Sequence, residues 1–175
     1  VTLPLGRVTR PVYRAHHPMW AFDPVSGEGA RARGGRFNRP GTAALYTSMS
    51  PETAWLEAQQ GFAFKAQPMT ICAYDVDCEG VVDLTTDAGR VPAGTSLAEL
   101  GSAWEDLATT GKPVPTWLLA GHLIRIGCAG IIVPSFAARA TARDANLVFW
   151  TWAAVPPHKV IVVDDDRRLP INQDS

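Results

Sequence analysis

Cysteine, lysine and long apolar runs are all scarce in this 175-residue sequence. The three cysteines, Cys72, Cys78 and Cys128, are odd in number and show no C-x-x-C spacing. That argues against a disulfide framework and a zinc knuckle, and buried free thiols are the expectation. The longest apolar stretches, Ala129 to Val133 and Leu147 to Val155, fall far short of the ~20 residues that cross a bilayer. No basic, apolar, small-residue leader opens the chain, so a soluble cytoplasmic protein without membrane contact is expected. Low-complexity tracts, heptads and internal repeats are missing too.

Several chemical signatures are also missing. The four histidines form no H-E-x-x-H and no metal-ligand spacing, and neither a G-x-S-x-G elbow nor a G-x-x-x-x-G-K loop occurs. Asp164-Asp165-Asp166 runs straight into Arg167-Arg168, which reads as a charge-compensated surface turn rather than a magnesium site. No metal is expected. Gly27 to Ala32 matches G-x-G-x-x-A in form, but Asp23-Pro24 stands where a dinucleotide fingerprint needs an apolar strand.

What is present fits one folded domain over residues 1–175. A hydrophobic content of 46% with 19% charged residues supports a sizeable core. Charge is distributed unevenly. Residues 1–39 hold seven arginines against Asp23 and Glu28, while the remainder is net acidic. Arginine outnumbers lysine thirteen to three, and its planar fork suits phosphate and carboxylate. The acidic remainder disfavours a long nucleic acid and fits a small phosphorylated ligand better. Arg7, Arg10 and Arg39 read as solvated.

Strand patterns occur at Val8 to Ala15, broken beforehand by Pro11, and at Ala43 to Thr47 and Met69 to Val76. Others follow at Val81 to Leu84 after a Glu79-Gly80 turn, and at Gly130 to Val133, Leu147 to Trp152 and Val160 to Val163. Residues His16 to Ala32 read as a long loop, in which Trp20 could stack on a ligand. Ser96, with Glu99 completing a capping box, starts a helix from Leu97 to Leu107; Thr116 starts another from Trp117 to Ile126, with Leu119, Leu123 and Ile126 in the core. The expected class is α+β, a mixed or antiparallel sheet with short flanking helices.

The richest stretch is Gly34 to Glu57. Arg36 to Asn38 reads as a strand end, Pro40-Gly41 as a type II turn, and Ser50-Pro51 as a helix start with Gly61 as its stop. Thr53 and Glu57 then share one helix face. Arg36 offers an anion clamp, Tyr46 a flat ring and Glu57 a carboxylate, with Arg14 and Ser135 as further candidates. That set suits cleavage at the anomeric carbon of a phosphorylated nucleoside, where a carboxylate stabilises an oxocarbenium-like transition state. A module that binds the same ligand without turnover would use the same arginines and glycines.

Tyr13-Arg14, Gly34-Gly35-Arg36-Phe37-Asn38 with Pro40-Gly41, Leu45-Tyr46-Thr47-Ser48, Ala54, Glu57, Ile131 to Ser135 and Asn146-Leu147-Val148 together resemble a RES-domain protein. Phe37 stands where that family usually shows tryptophan. The resemblance implies a fold similar to ADP-ribosyltransferase toxins, with NAD+ as substrate. It also implies the toxin half of a toxin–antitoxin pair, neutralised by an Xre-type antitoxin. By the same resemblance Arg14 and Arg36 bind NAD+, Tyr46 flanks the nicotinamide, Glu57 is catalytic and Ser135 completes the named triad. The ADP-ribose acceptor is water, inorganic phosphate or a protein side chain.

Overall fold

A computed structural model describes residues 2–59 and 67–172. Strand β1 (Leu5–His16) runs antiparallel to β3 (Thr70–Asp83) along its whole length. On β3, Cys72, Tyr74, Val76 and Cys78 point one way, and Ile71, Ala73, Asp75 and Asp77 the other, the period-2 pattern of a strand with one buried face. Val8, Val12 and His16 are their buried counterparts on β1. Pro11 is accommodated within β1 because the strand's second edge pairs only at Tyr13. The strand therefore starts earlier than its proline suggests. All three cysteines are free and buried.

The Glu79-Gly80 step is a bulge inside one strand rather than a turn between two. Arg7 faces Glu79 and Gly6 faces Val81, so Gly80 is skipped, at φ 77°. A positive φ is cheap only for glycine. Past the bulge, Val81 to Asp83 pair in parallel with β4 (Gly130–Pro134). Strand β5 (Ala145–Phe149) is antiparallel to both β4 and β2 (Leu45–Ser48), and β6 (His158–Val162) lies against β3. The order is β1-β2-β5-β4-β3-β6, with β1–β3 as an extra pairing. The pairings therefore close into a ring, and β1 meets β2 at the single position Tyr13↔Ser48.

One apolar cluster fills the ring: Val12, Tyr74 and Val76 face Leu45, Leu147 and Phe149. A second lies outside β2, β5 and β4. There Ile131, Val133 and Val148 are covered by α3 (Asp87–Ala93), α4 (Leu97–Leu100) and α6 (Pro115–Arg125) through Ala93, Leu100, Leu119 and Leu123. Ile126, expected in this core, is 50% exposed just past the end of α6. Thr116 is not a cap either: Val114 is the N-cap and Thr116 is buried. Among the described residues no helix is long and apolar enough to cross a membrane.

Residues 16–32 are less irregular than expected. They hold a 3-10 turn (Pro18–Trp20) and the start of α1 (Glu28–Arg33). The Ser96 capping box is present, with Ser96 Oγ accepting from the Glu99 N–H and Glu99 Oε2 from the Ser96 N–H. The helix it starts ends at Leu100, however, and α5 (Trp104–Thr109) follows after a break. Helix α2 (Pro51–Ala58) begins on Ser50, whose Oγ accepts the Thr53 N–H at 3.1 Å. The stop expected at Gly61 lies outside the described residues. Asp164 accepts the Arg168 and Leu169 N–H groups and Asp166 pairs with Arg168, as a compensated turn requires.

Candidate active site

Where β1 and β2 diverge beyond their one shared pair, the ring opens into two adjoining cavities of about 320 and 270 Å3. Both are walled by Arg14, Tyr46, Glu57 and Asn146. The larger adds Arg33, Arg36, Phe37, Trp104, Glu105 and Phe136. Four of the five candidates, Arg14, Arg36, Tyr46 and Glu57, thus line one space. Ser135 lies just behind it, between the lining residues Pro134 and Phe136.

Arg36 is carried by a tight turn, not by a strand end. Gly35 and Asn38 bond to each other's carbonyls as an isolated bridge with Arg36 and Phe37 between them. Gly34 ends α1 at φ 76°, where a Cβ would stand 2.8 Å from the Pro40 ring. Pro40-Gly41 forms the expected type II turn: the Thr42 N–H donates to Arg39 O at 3.0 Å and Gly41 has φ 96°. Asn38 is buried, its Nδ2 donating to Ala30 O and Thr42 O, both at 2.8 Å. Three indole N–H groups hold the same segment by its carbonyls: Trp152 to Val25, Trp117 to Gly35 and Trp150 to Phe37.

The Tyr46 hydroxyl is committed to this turn. It donates to Asn38 Oδ1 at 2.7 Å and accepts the Phe37 N–H at 2.9 Å. Burial raises its pKa, so the phenol stays neutral. Gly35 is what lets the hydroxyl so close, since a Cβ there would meet Tyr46 Oη at 2.6 Å. Arg36 Nη1 donates to Ser102 O at 2.6 Å and Leu100 O at 3.2 Å, and its guanidinium lies 5.0 Å over the Phe136 ring. Those carbonyls come from the break between α4 and α5, so the interrupted helix serves the arginine. Burial lowers the Arg36 pKa, and nearby Glu57, Tyr46 and Glu105 counter it.

Glu57 sits near the end of α2, and its Oε1 accepts both Ser135 Oγ and Asn146 Nδ2 at 2.5 Å. Asn146 is itself oriented, because its Oδ1 accepts from Ser48 Oγ at 2.7 Å across the β2–β5 pair Ser48↔Asn146. Thr53, one turn before Glu57, donates to Asp144 Oδ1 at 2.7 Å and ties α2 to the segment leading into β5. Hydrogen bonds from Thr53 and Thr141 keep the Asp144 carboxyl below its ordinary pKa. The carboxylate is therefore fixed from β2, β4 and β5 at once.

Arg14 donates weakly to Ser26 O at 3.4 Å, and burial lowers its pKa. Two residues on, His16 is buried with Nε2 2.8 Å from Tyr74 Oη, which donates to Pro24 O. His16 is pushed down to about 4 by burial and by Arg14, and so stays neutral. Trp20, the candidate stacking residue, is 61% exposed and lines neither cavity. Asn146 and Ser48 were not singled out for the site from sequence. A polar side chain at the core-facing position two before Val148 was the available signal.

A family model for the RES domain matches residues 11–172. The chain belongs to the RES domain family. It is 31% identical over 136 residues to the NAD(+) phosphorylase MbcT of Mycobacterium tuberculosis and to that of Mycobacterium bovis, covering 71% of this chain and 73% of each relative. Its fold matches the crystal structure of the M. tuberculosis MbcT–MbcA toxin–antitoxin complex with a TM-score of 0.62 and 24% identity, over 90% of this chain and 83% of that one. The turn carrying Arg36, the strand carrying Tyr46 and the helix carrying Glu57 all lie within the matched span of this RES domain.

Proposed function

We propose that this RES domain is an NAD+ phosphorylase and the toxin of a toxin–antitoxin pair. The observation that carries the reading is Glu57, a carboxylate fixed by Ser135 and Asn146 on the wall of a cavity that also holds Arg33 and Arg36. The 31% identity to a phosphorylase of NAD+ selects the substrate and the acceptor.

In this mechanism the arginines hold the pyrophosphate and the aromatic walls Phe37, Trp104 and Phe136 take apolar ring faces. The bond between ribose C1 and the nicotinamide nitrogen breaks, and its electron pair neutralises the ring nitrogen as nicotinamide leaves. Positive charge grows on the ribose, where Glu57 stabilises it. A phosphate oxygen then bonds to C1, giving ADP-ribose 1-phosphate. Ser135 acts through Glu57 rather than on the substrate, and Tyr46 acts chiefly by fixing the turn that carries Arg36. An antitoxin, of the Xre type by family resemblance, would neutralise the protein; the solved relative is a complex of toxin with antitoxin.

The test is incubation of the purified protein with adenine-labelled NAD+, with and without phosphate. Nicotinamide and a phosphorylated ADP-ribose are expected, and Glu57→Gln should cut the rate by about 100- to 1,000-fold without loss of fold. Binding of NAD+ with no product after long incubation would leave a non-catalytic module instead. Release by Glu57→Gln at the wild-type rate would remove Glu57 from the mechanism.

A further inference from the structure

The site has a second compartment for which the dinucleotide has no clear use. The 270 Å3 cavity lies in the cleft between β1 and β2, under α2, and is walled by Arg14, Ala15, Ser48, Ala54 and Ala58. It meets the larger cavity at Glu57. We propose that this smaller cavity is the binding site of the attacking inorganic phosphate, with Arg14 as its cation. The proposal rests on the NAD+-cleaving reading above.

Three features of the cavity favour an anion over the nicotinamide ring. First, Arg14 is a half-buried guanidinium that makes no ion pair with a carboxylate among the described residues, and its one printed hydrogen bond is the 3.4 Å contact to Ser26 O. A partly buried cation lacking a counter-charge is costly, and a bound anion relieves that cost. Second, the nicotinamide of NAD+ carries a positive charge until its bond breaks, so a guanidinium disfavours it there by like-charge repulsion. Third, the larger cavity already has Arg33 and Arg36 for the pyrophosphate. With ribose C1 beside Glu57 at the boundary, a nucleophile from the smaller cavity reaches it from a side the dinucleotide leaves open.

The step balances. Monohydrogen phosphate forms the new C1–O bond, the C1–N bond pair departs with neutral nicotinamide, and the proton stays on the new monoester. Glu57 gains and loses nothing, and Arg14 keeps its charge.

Steady-state kinetics on the full chain, varying phosphate at saturating NAD+ and NAD+ at saturating phosphate, tests this. Arg14→Gln should raise the KM for phosphate about 10- to 100-fold, the loss of one charge-assisted contact, and move the KM for NAD+ by less than about threefold. Ala58→Leu fills the same cavity without touching a charge, and should also raise the phosphate KM selectively. It serves if Arg14→Gln does not fold. Sulfate should inhibit competitively against phosphate and not against NAD+. A raised KM for NAD+ with an unchanged KM for phosphate would give Arg14 to the dinucleotide and overturn the proposal. Nicotinamide release that is independent of phosphate would overturn it and leave NAD+ cleavage standing. No release under any condition would sink the parent reading and this inference with it.

Discussion

Gly35→Ala is the sharpest perturbation available, because the added methyl group has a known collision. Its Cβ would stand 2.6 Å from Tyr46 Oη, 2.9 Å from Asn38 Oδ1 and 3.0 Å from Tyr46 Cζ. Gly35 is not among the glycines at positive φ, so the cost is contact rather than backbone strain. The hydroxyl cannot step aside cheaply, since it is held by bonds of 2.7 and 2.9 Å to Asn38 and Phe37. Loss of those two bonds costs about 2 kcal/mol and overpacking about 1–3 kcal/mol more. A total near 4 kcal/mol lowers Tm by roughly 8–16 °C in a domain of this size. Urea and thermal melts followed by circular dichroism measure this directly. The diagnostic control is the same substitution in a Tyr46→Phe background, where the most crowded atom is gone. A coupling of at least about 1 kcal/mol is expected from the double-mutant cycle. Strict additivity, or a loss below about 1 kcal/mol for Gly35→Ala alone, would refute the account of the turn.

Two further outcomes follow from neighbouring groups. Asn146→Asp replaces the donor to Glu57 Oε1 with a second carboxylate, so it should lower kcat more than Asn146→Ala does and raise the pH at which activity appears; equal losses would deny Asn146 a positioning role. His16 is depressed to about 4 in the fold against about 6.5 unfolded, so it stays neutral in the folded protein while the unfolded chain takes up a proton. Its contribution, about 3 kcal/mol, is full above pH 6.5 and is lost as pH falls towards 4, with no further loss below. Urea midpoints from pH 7.5 to 4 should slope in the wild type and flatten in His16→Gln. A parallel slope in both would remove His16 as the cause.

What could be read from sequence was local chemistry. The Pro40-Gly41 turn, the Ser50-Pro51 start of α2 and the Ser96–Glu99 box each satisfy their hydrogen bonds within four residues, and each is found in place. Alternation placed most strands, because a half-buried strand shows period 2 whatever it pairs with. The misreadings are long-range. The helix expected from Leu97 to Leu107 breaks where Leu100 and Ser102 turn their carbonyls to Arg36, far away in the chain. The Glu79-Gly80 step reads as a turn because glycine marks both turns and bulges, and only the Gly6–Arg7 register on β1 tells them apart. Arg36 to Asn38 looks extended until Tyr46 is seen to close it into a turn. Glu57 could be named from its helix, but its clamp needed the β2–β5–β4 register that brings Ser48, Asn146 and Val133 side by side. Asn146 was out of reach for that reason.

The three indoles that grip the segment from Val25 to Phe37 also make it visible to light. Trp117, Trp150 and Trp152 each donate their ring N–H to a carbonyl of that segment, and Trp104 stands on the cavity wall near the same turn. Four of the chain's six tryptophans therefore have surroundings set by whether the arginine turn is seated. An indole that exchanges a protein carbonyl for water changes its emission, so the native protein carries an unlabelled fluorescent gauge of its own binding loop. Ligand titrations and rapid-mixing experiments can follow that loop without a dye, an engineered cysteine or a second protein.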